Sequence, residues 1–157
     1  MTQEEKELLI KDLCGRLPHG IICSIYREDD EGFGWRDAEC KGYFKNNDSY
    51  EFYFEDVIAV DNIERLKPYL RPFSSMTENE IRLFRKNSEN EYRYAYEARA
   101  NNESRIEIIQ IDCDAWTKDE TWLNAHHFDY RGLIEKGLAL QAPEGMYKFS
   151  DNTIENE

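Results

Sequence analysis

Nowhere in the 157 residues do 18 apolar residues follow one another, and the opening MTQEEKELL has neither a basic segment nor an apolar run. Neither a membrane-spanning helix nor a secretory leader is expected, which points to a cytoplasmic protein. Cysteine is sparse: Cys14, Cys23, Cys40 and Cys113 are widely spaced, with no C-x-x-C among them. That pattern fits reduced, partly buried thiols and gives neither a disulfide framework nor a zinc ribbon. Positive charge is also short, at 20 Lys and Arg against 33 Asp and Glu, a net charge of −13. A field of that sign repels nucleic acid and anionic membranes over about a Debye length, roughly 8 Å at physiological salt. Direct nucleic-acid binding and membrane binding are therefore not expected, whereas the same charge is compatible with a basic protein partner.

Catalytic signatures are missing as well. No glycine arrangement forms a phosphate loop, no G-x-S-x-G occurs, and Ser74-Ser75 lies between a proline and a helix start, where serines serve turns. DCDAWTKDE, residues 112 to 120, has acids at the first and third positions of a calcium loop. It places Thr117 where that loop needs glycine and Leu123 where it needs glutamate, so the match fails. No catalytic residue, metal ligand or cofactor is assigned.

What is present suits a folded domain. Hydrophobic residues make up 40% of the chain, with ten tyrosines, eight phenylalanines and three tryptophans, and a chain of this length buries roughly 70% of its unfolded surface. Thr2 and Glu5 form a capping box, and Leu9, Ile10, Leu13, Cys14 and Leu17 then share a helical face until Pro18 ends it. A strand follows from Ile21 to Arg27, then EDDEGFG as a turn. AECKGYF and YEFYFED flank the polar Lys45 to Ser49 as two further strands, with Tyr50, Phe52 and Phe54 alternating with Glu51, Tyr53 and Glu55. LKPYLRPFSSMTENE, with two prolines, reads as an extended connector, and Thr77 with Glu80 opens a helix to about Lys86. Tyr92 to Arg99 and RIEIIQIDC, joined at Ala100 to Glu103, form a hairpin. Thr117 with Glu120 opens a helix to about His127. The order predicts an α+β fold: one domain over 1–148, a mostly antiparallel sheet of about five strands with helices packed on it, and a flexible tail over 149–157.

The most chemically crowded stretch is WLNAHHFDYRG, residues 122 to 132. His126 and His127 are adjacent and, on a helix, point about 100° apart, so they cannot chelate one ion. His126 borders the Trp122 and Leu123 stripe, while His127 falls at the helix margin. A thiol pair of Cys113 with His126 is not required by the spacing. Asp129 suits the N-cap of a short helix from Tyr130 to Lys136, with Gly137 as its left-handed end. The resulting helix pair suggests a helix-turn-helix, but it lacks the basic face that reading DNA needs. His127 and Arg131 are candidate binding residues if they share an exposed side of the corner. On KPYLRP, Lys67, Tyr69 and Arg71 form a second candidate binding surface, since cations and aromatics on a stiff segment anchor a partner at low entropic cost.

The blocks EEKELLIKDLCGRLPHG, LKPYLRPFSSMTENE and WLNAHHFDYRGLIEKGLALQAPEGMY resemble a family of small acidic proteins from Bacteroides-type gut bacteria, their phages and prophages. The resemblance covers roughly two fifths of the chain, carries no activity, and implies a cytoplasmic protein of a mobile element or its host. A non-enzymatic accessory protein that binds a host or phage protein, as regulator or antagonist, is the expectation. The alternatives are a nucleotide- or nucleic-acid-related enzyme using His126 and His127, and a module that sequesters a small ligand. The oligomeric state is not specified by these patterns.

Overall fold

The computed structural model describes residues 1–30, 32–47, 49–54, 59–87, 94–98, 104–108 and 117–148. The fold is α+β. Its residues gather into two compact units, one of Met1–Leu70 with Leu133–Leu140, the other of Arg71–Gly132 with the chain from Gln141 onward.

In the first unit, helix α1 (Gln3–Arg16) begins at the capping box, with the Thr2 hydroxyl accepting from the Glu5 amide and the Glu5 carboxylate accepting from the Thr2 amide. Its buried stripe is turned relative to the apolar pattern: Leu9, Asp12, Leu13 and Arg16 are all fully buried. Arg16 donates twice to Asp12, at 2.8 and 3.0 Å, so a charged pair one turn apart is stable in the interior because each partner neutralises the other. A 3-10 turn over Leu17–His19 and Gly20 at φ 71 lead into β1 (Ile22–Asp29).

The sheet continues with β2 (Gly32–Asn46), β3 (Ser49–Phe54), β4 (Ala59–Val60), β5 (Leu66–Leu70) and β8 (Leu140–Gln141), in the spatial order β4-β3-β2-β1-β5-β8. Cys23, Ile25, Cys40, Phe52, Phe54, Leu66 and Leu70 form its buried face. The period-2 pattern of YEFYF is realised, with Phe52 and Phe54 buried and Tyr53 half-buried between them.

Two expectations change here. EDDEGFG is not a turn throughout, because Gly32, Phe33 and Gly34 already belong to β2, which is antiparallel to β1 from Asp29↔Gly32 to Ile22↔Glu39. LKPYL is extended, as read, but it is a strand and no mere connector: Cys23 lies opposite Pro68 and Ser24 opposite Lys67. Proline cannot donate to a ladder, and a single bonded stretch of three residues against β1 tolerates it.

In the second unit, helix α2 (Glu78–Asn87) starts at the second capping box, with Thr77 N–H donating to Glu80 at 2.9 Å and the Glu80 amide to the Thr77 hydroxyl at 3.2 Å. Strands β6 (Tyr94–Ala98) and β7 (Ser104–Ile108) pair antiparallel as expected, but as a separate two-stranded sheet. Their connection falls outside the described residues, as do Cys113, the calcium-loop candidate at 112–116 and the tail expected over 149–157. Helix α3 (Thr117–Ala125) ends two residues before its expected limit. Met76, Ile81, Phe84, Leu123 and Phe128 form the core of this unit, with Phe73, Trp122 and Tyr130 against it.

The short helix expected from Tyr130 to Lys136 is absent. Gly132 at φ 72 interrupts it, and only a turn remains at 133–137. Its end is nevertheless as read: Gly137 has φ 73, its amide donates to the Ile134 carbonyl at 3.0 Å, and Leu138 N–H donates to Leu133 at 2.9 Å, the two bonds of a Schellman ending. Asp129 therefore caps no helix. Its amide donates to the Arg71 carbonyl at 2.8 Å.

Candidate functional site

The corner at residues 126–131 is built from packing and buried polar pairs. His126 stacks on Trp122 one turn earlier, with ring centroids 3.9 Å apart, and its Nδ1 lies 2.9 Å from the Trp122 carbonyl. A carbonyl only accepts, so Nδ1 carries the proton of that bond. His127 is the residue that turns the chain: φ is 59, and the side chain is only 2% exposed, stacked at 3.9 Å on Tyr147. The condition that made it a candidate, an exposed side of the corner shared with Arg131, is not met by this buried ring.

Arg71 ties the corner to α2. Its backbone accepts from Asp129 and donates to the His127 carbonyl at 2.7 Å, a parallel bridge around Phe128. Its guanidinium donates to both Glu80 oxygens at 3.0 and 2.9 Å and lies 4.2 Å over the Phe128 ring. Arg131 donates to Glu120 at 2.7 Å and to the Tyr130 hydroxyl at 3.0 Å, while Tyr130 donates to Asn124 at 2.9 Å. These bonds position side chains; among the described residues no group of three or more metal-ligating side chains is assembled.

Lys67 and Tyr69 lie in the first unit, on the outward face of β5. Lys67 is opposite Ser24, and Tyr69 donates its hydroxyl to Asp37 at 2.9 Å. The cross-strand register places Ser24, Tyr26 and Glu28 of β1 on that same face, opposite Asp37, Trp35 and Phe33 of β2. Here the molecule exposes large apolar side chains: Phe33 is 66% exposed and Trp35 46%. Tyr26 lies against both, edge-on to Trp35 at 5.5 Å and nearly parallel to Phe33 at 6.3 Å. Aromatic cross-strand neighbours of this kind hold a hairpin together while leaving ring faces open to a partner.

Beyond Asp37 a bulge between Cys40 and Gly42 shifts the register of β2 against β3, so that Phe44, 55% exposed, lies opposite Glu51. Without that extra residue Phe44 would turn to the buried face. The outward face thus runs from the aromatic end of the β1–β2 hairpin past Asp37, Lys67 and Tyr69.

Phe33 and Trp35 were missed as candidates because GFGW follows an acidic run that reads as a turn. The signal was available: aromatics at 33 and 35 alternate with glycines at 32 and 34, a period of two with one bulky and one bare face. The bare face is used, since a Cβ on Gly34 would come within 2.6 Å of Arg36 Nη1, whose side chain crosses it.

The three described thiols, Cys14, Cys23 and Cys40, are chemically quiet. Burial pushes the Cys23 thiol well up, with the neighbouring Cys40 and Asp12 charges adding to it, and burial takes Cys40 up to about 11 against an opposing backbone hydrogen bond with Gly42. Cys14 is raised by burial, opposed by its bond with Tyr43. All three are free thiols, and none is activated as a nucleophile.

No protein-family model, curated protein or solved structure matches the chain.

Proposed function

We propose that this is a non-enzymatic accessory protein of a phage or mobile element, which binds a host or phage protein as a regulator or antagonist. The observation that carries this reading is the outward aromatic face of β1 and β2, with Phe33 at 66% and Trp35 at 46% exposure beside Tyr26. Large aromatics are costly to leave in water and are the side chains that dominate protein interfaces. Lys67, Tyr69 and Asp37 extend the same face with groups that can orient a partner. The stacking of His126 and His127 on Trp122 and Tyr147 favours a packing role for both over acid–base work.

The test compares the intact protein with Phe33→Ser/Trp35→Ser as bait against lysate of a Bacteroides-type host. A specific protein retained by the first and lost by the second, while the variant still unfolds cooperatively, is the expected outcome. Equal retention by both would remove the aromatic face from the reading.

One feature favours the small-ligand alternative: an open cavity of about 640 Å³ in the first unit, lined by Lys6, Ser49, Tyr50, Asp61, Asn62 and Arg65. Its volume falls in the range of ligand sites. A nucleotide panel followed by thermal shift addresses it, and a stabilisation abolished by Arg65→Ala would favour that reading.

A further inference from the structure

The aromatic face lies on a hairpin whose two strands have few other neighbours. Among the described residues β5 pairs with β1 at Cys23, Ser24 and Ile25, and β3 pairs with β2 from Cys40 onward. Among the described residues, Gly32 to Trp35 therefore pair with β1 alone, and Tyr26 and Glu28 with β2 alone. Among the described residues the end of the hairpin is a two-stranded arm, with no further strand beside Gly32–Trp35. An edge of this kind presents unpaired amides and carbonyls, and it invites another strand unless charge or shape prevents it. Charge here is selective and does not seal the edge: between Tyr26 and Arg36 stand the acids Glu28, Asp29, Asp30 and Glu31 against Arg27 and Arg36. The arm repels a second copy of itself and attracts a basic chain, as does the net charge of −13.

We infer that the partner is engaged by strand addition: an extended, basic segment of a protein pairs its backbone with the β2 edge at Gly32–Trp35. Alternate side chains of that segment then fall on the Phe33 and Trp35 rings, which Tyr26 backs, and its cations face the exposed Glu28 and Asp30. Backbone bonds supply register, and the rings supply contact area. Gly32 and Gly34 carry no side chain on the opposite face of the edge, so the added strand meets no bulk there beyond Arg36. This deepens the proposed function and rests on the aromatic face being the binding surface.

The experiment uses the full chain, isotopically labelled, with an acetylated seven-residue peptide of alternating lysine and valine. Two controls are the same peptide with alternate backbone nitrogens methylated, and a glutamate–valine peptide. Expected are chemical-shift changes confined to the arm and amide exchange at Gly32–Trp35 slowed by tenfold or more with the lysine peptide, and neither effect with the controls. Absence of binding by the lysine peptide overturns strand addition. So does equal binding of the methylated peptide, or protection of the same amides by self-association in the absence of peptide. Should Phe33→Ser/Trp35→Ser abolish partner capture while no peptide protects the edge, the aromatic-face reading survives and strand addition alone falls.

Discussion

Asp12 and Arg16, with no solvent exposure and two mutual hydrogen bonds, are the most exacting residues of the first unit. Removing one charge leaves the other buried without its counter-ion, so Asp12→Ala should cost about 3 to 5 kcal/mol. The double substitution Asp12→Leu/Arg16→Met removes both charges and should be far milder than either single loss; urea denaturation of the three variants measures it. Greater damage in the double variant would contradict this mutual compensation. In the second unit Arg71 holds the nearly buried Glu80 carboxylate, and Arg71→Ala should destabilise by about 2 to 3 kcal/mol.

The buried Cys40 thiol gives a pH signature. Its proton is held up to about 11 in the folded protein, against an ordinary value of 9.0, so between these values the native state binds more protons than the unfolded chain. Stability from this group is complete below pH 9 and is lost as pH rises toward 11. Cys40→Ala should flatten that alkaline decline in denaturant titrations at pH 8 to 11, and an unchanged slope would contradict the assignment. None of these residue roles followed from composition: a helical pattern reports which residues are apolar, and Asp12 and Arg16 become interior residues only because they neutralise each other. His127 was similarly illegible, since its left-handed backbone follows from the 71–128 bridge and no local signal announces it.

At the scale of elements, local signals were read where they are self-contained. The boxes Thr2/Glu5 and Thr77/Glu80 each begin the helix they announce, and Thr77→Ala should cost about 1 kcal/mol in thermal or urea unfolding. The alternation in YEFYF and the β6–β7 pair were legible because period two is a local property. The failures occur where tertiary pairing overrides local chemistry. Pro68 suggested a connector, yet a strand needs few donors when it is bonded over three residues. Gly137 correctly announced a helical ending, but Gly132 left only one turn for it to close. The β1–β2 arm has its own element-scale signature. Tyr26, Phe33 and Trp35 hold a ribbon with no further strand beside it among the described residues, so its amides should exchange faster than those of Cys23 to Ile25, which lie between β2 and β5. Equal protection along the whole of β1 would mean that the arm is covered.

For the molecule as a whole, acidic charge and an aromatic face act together. Among the described residues no helix is long and apolar enough to cross a membrane. The charge of −13 is spread along the chain and, under the proposed function, would steer a basic partner toward it, while Phe33, Trp35 and Tyr26 would offer the apolar contact that charge alone does not give. The α+β class was legible from the order of elements. The proposed face was only partly marked in the sequence: Lys67 and Tyr69 were candidates there, but the exposed rings of Phe33 and Trp35 on the same face were hidden by the acidic run before Gly32. Arg71, His127 and Arg131, chosen for their chemistry, lie in the second unit, where the bonds described above engage them in its packing. The most direct measurement is the affinity of the captured partner for the intact protein and for Phe33→Ser/Trp35→Ser, each at low and high salt. The expected result is a loss of a hundredfold or more in the variant, about 3 kcal/mol and within the range of interface anchors, with weaker binding at high salt for the intact protein. Affinity unchanged by the two substitutions would contradict the central claim that this face is where the protein acts.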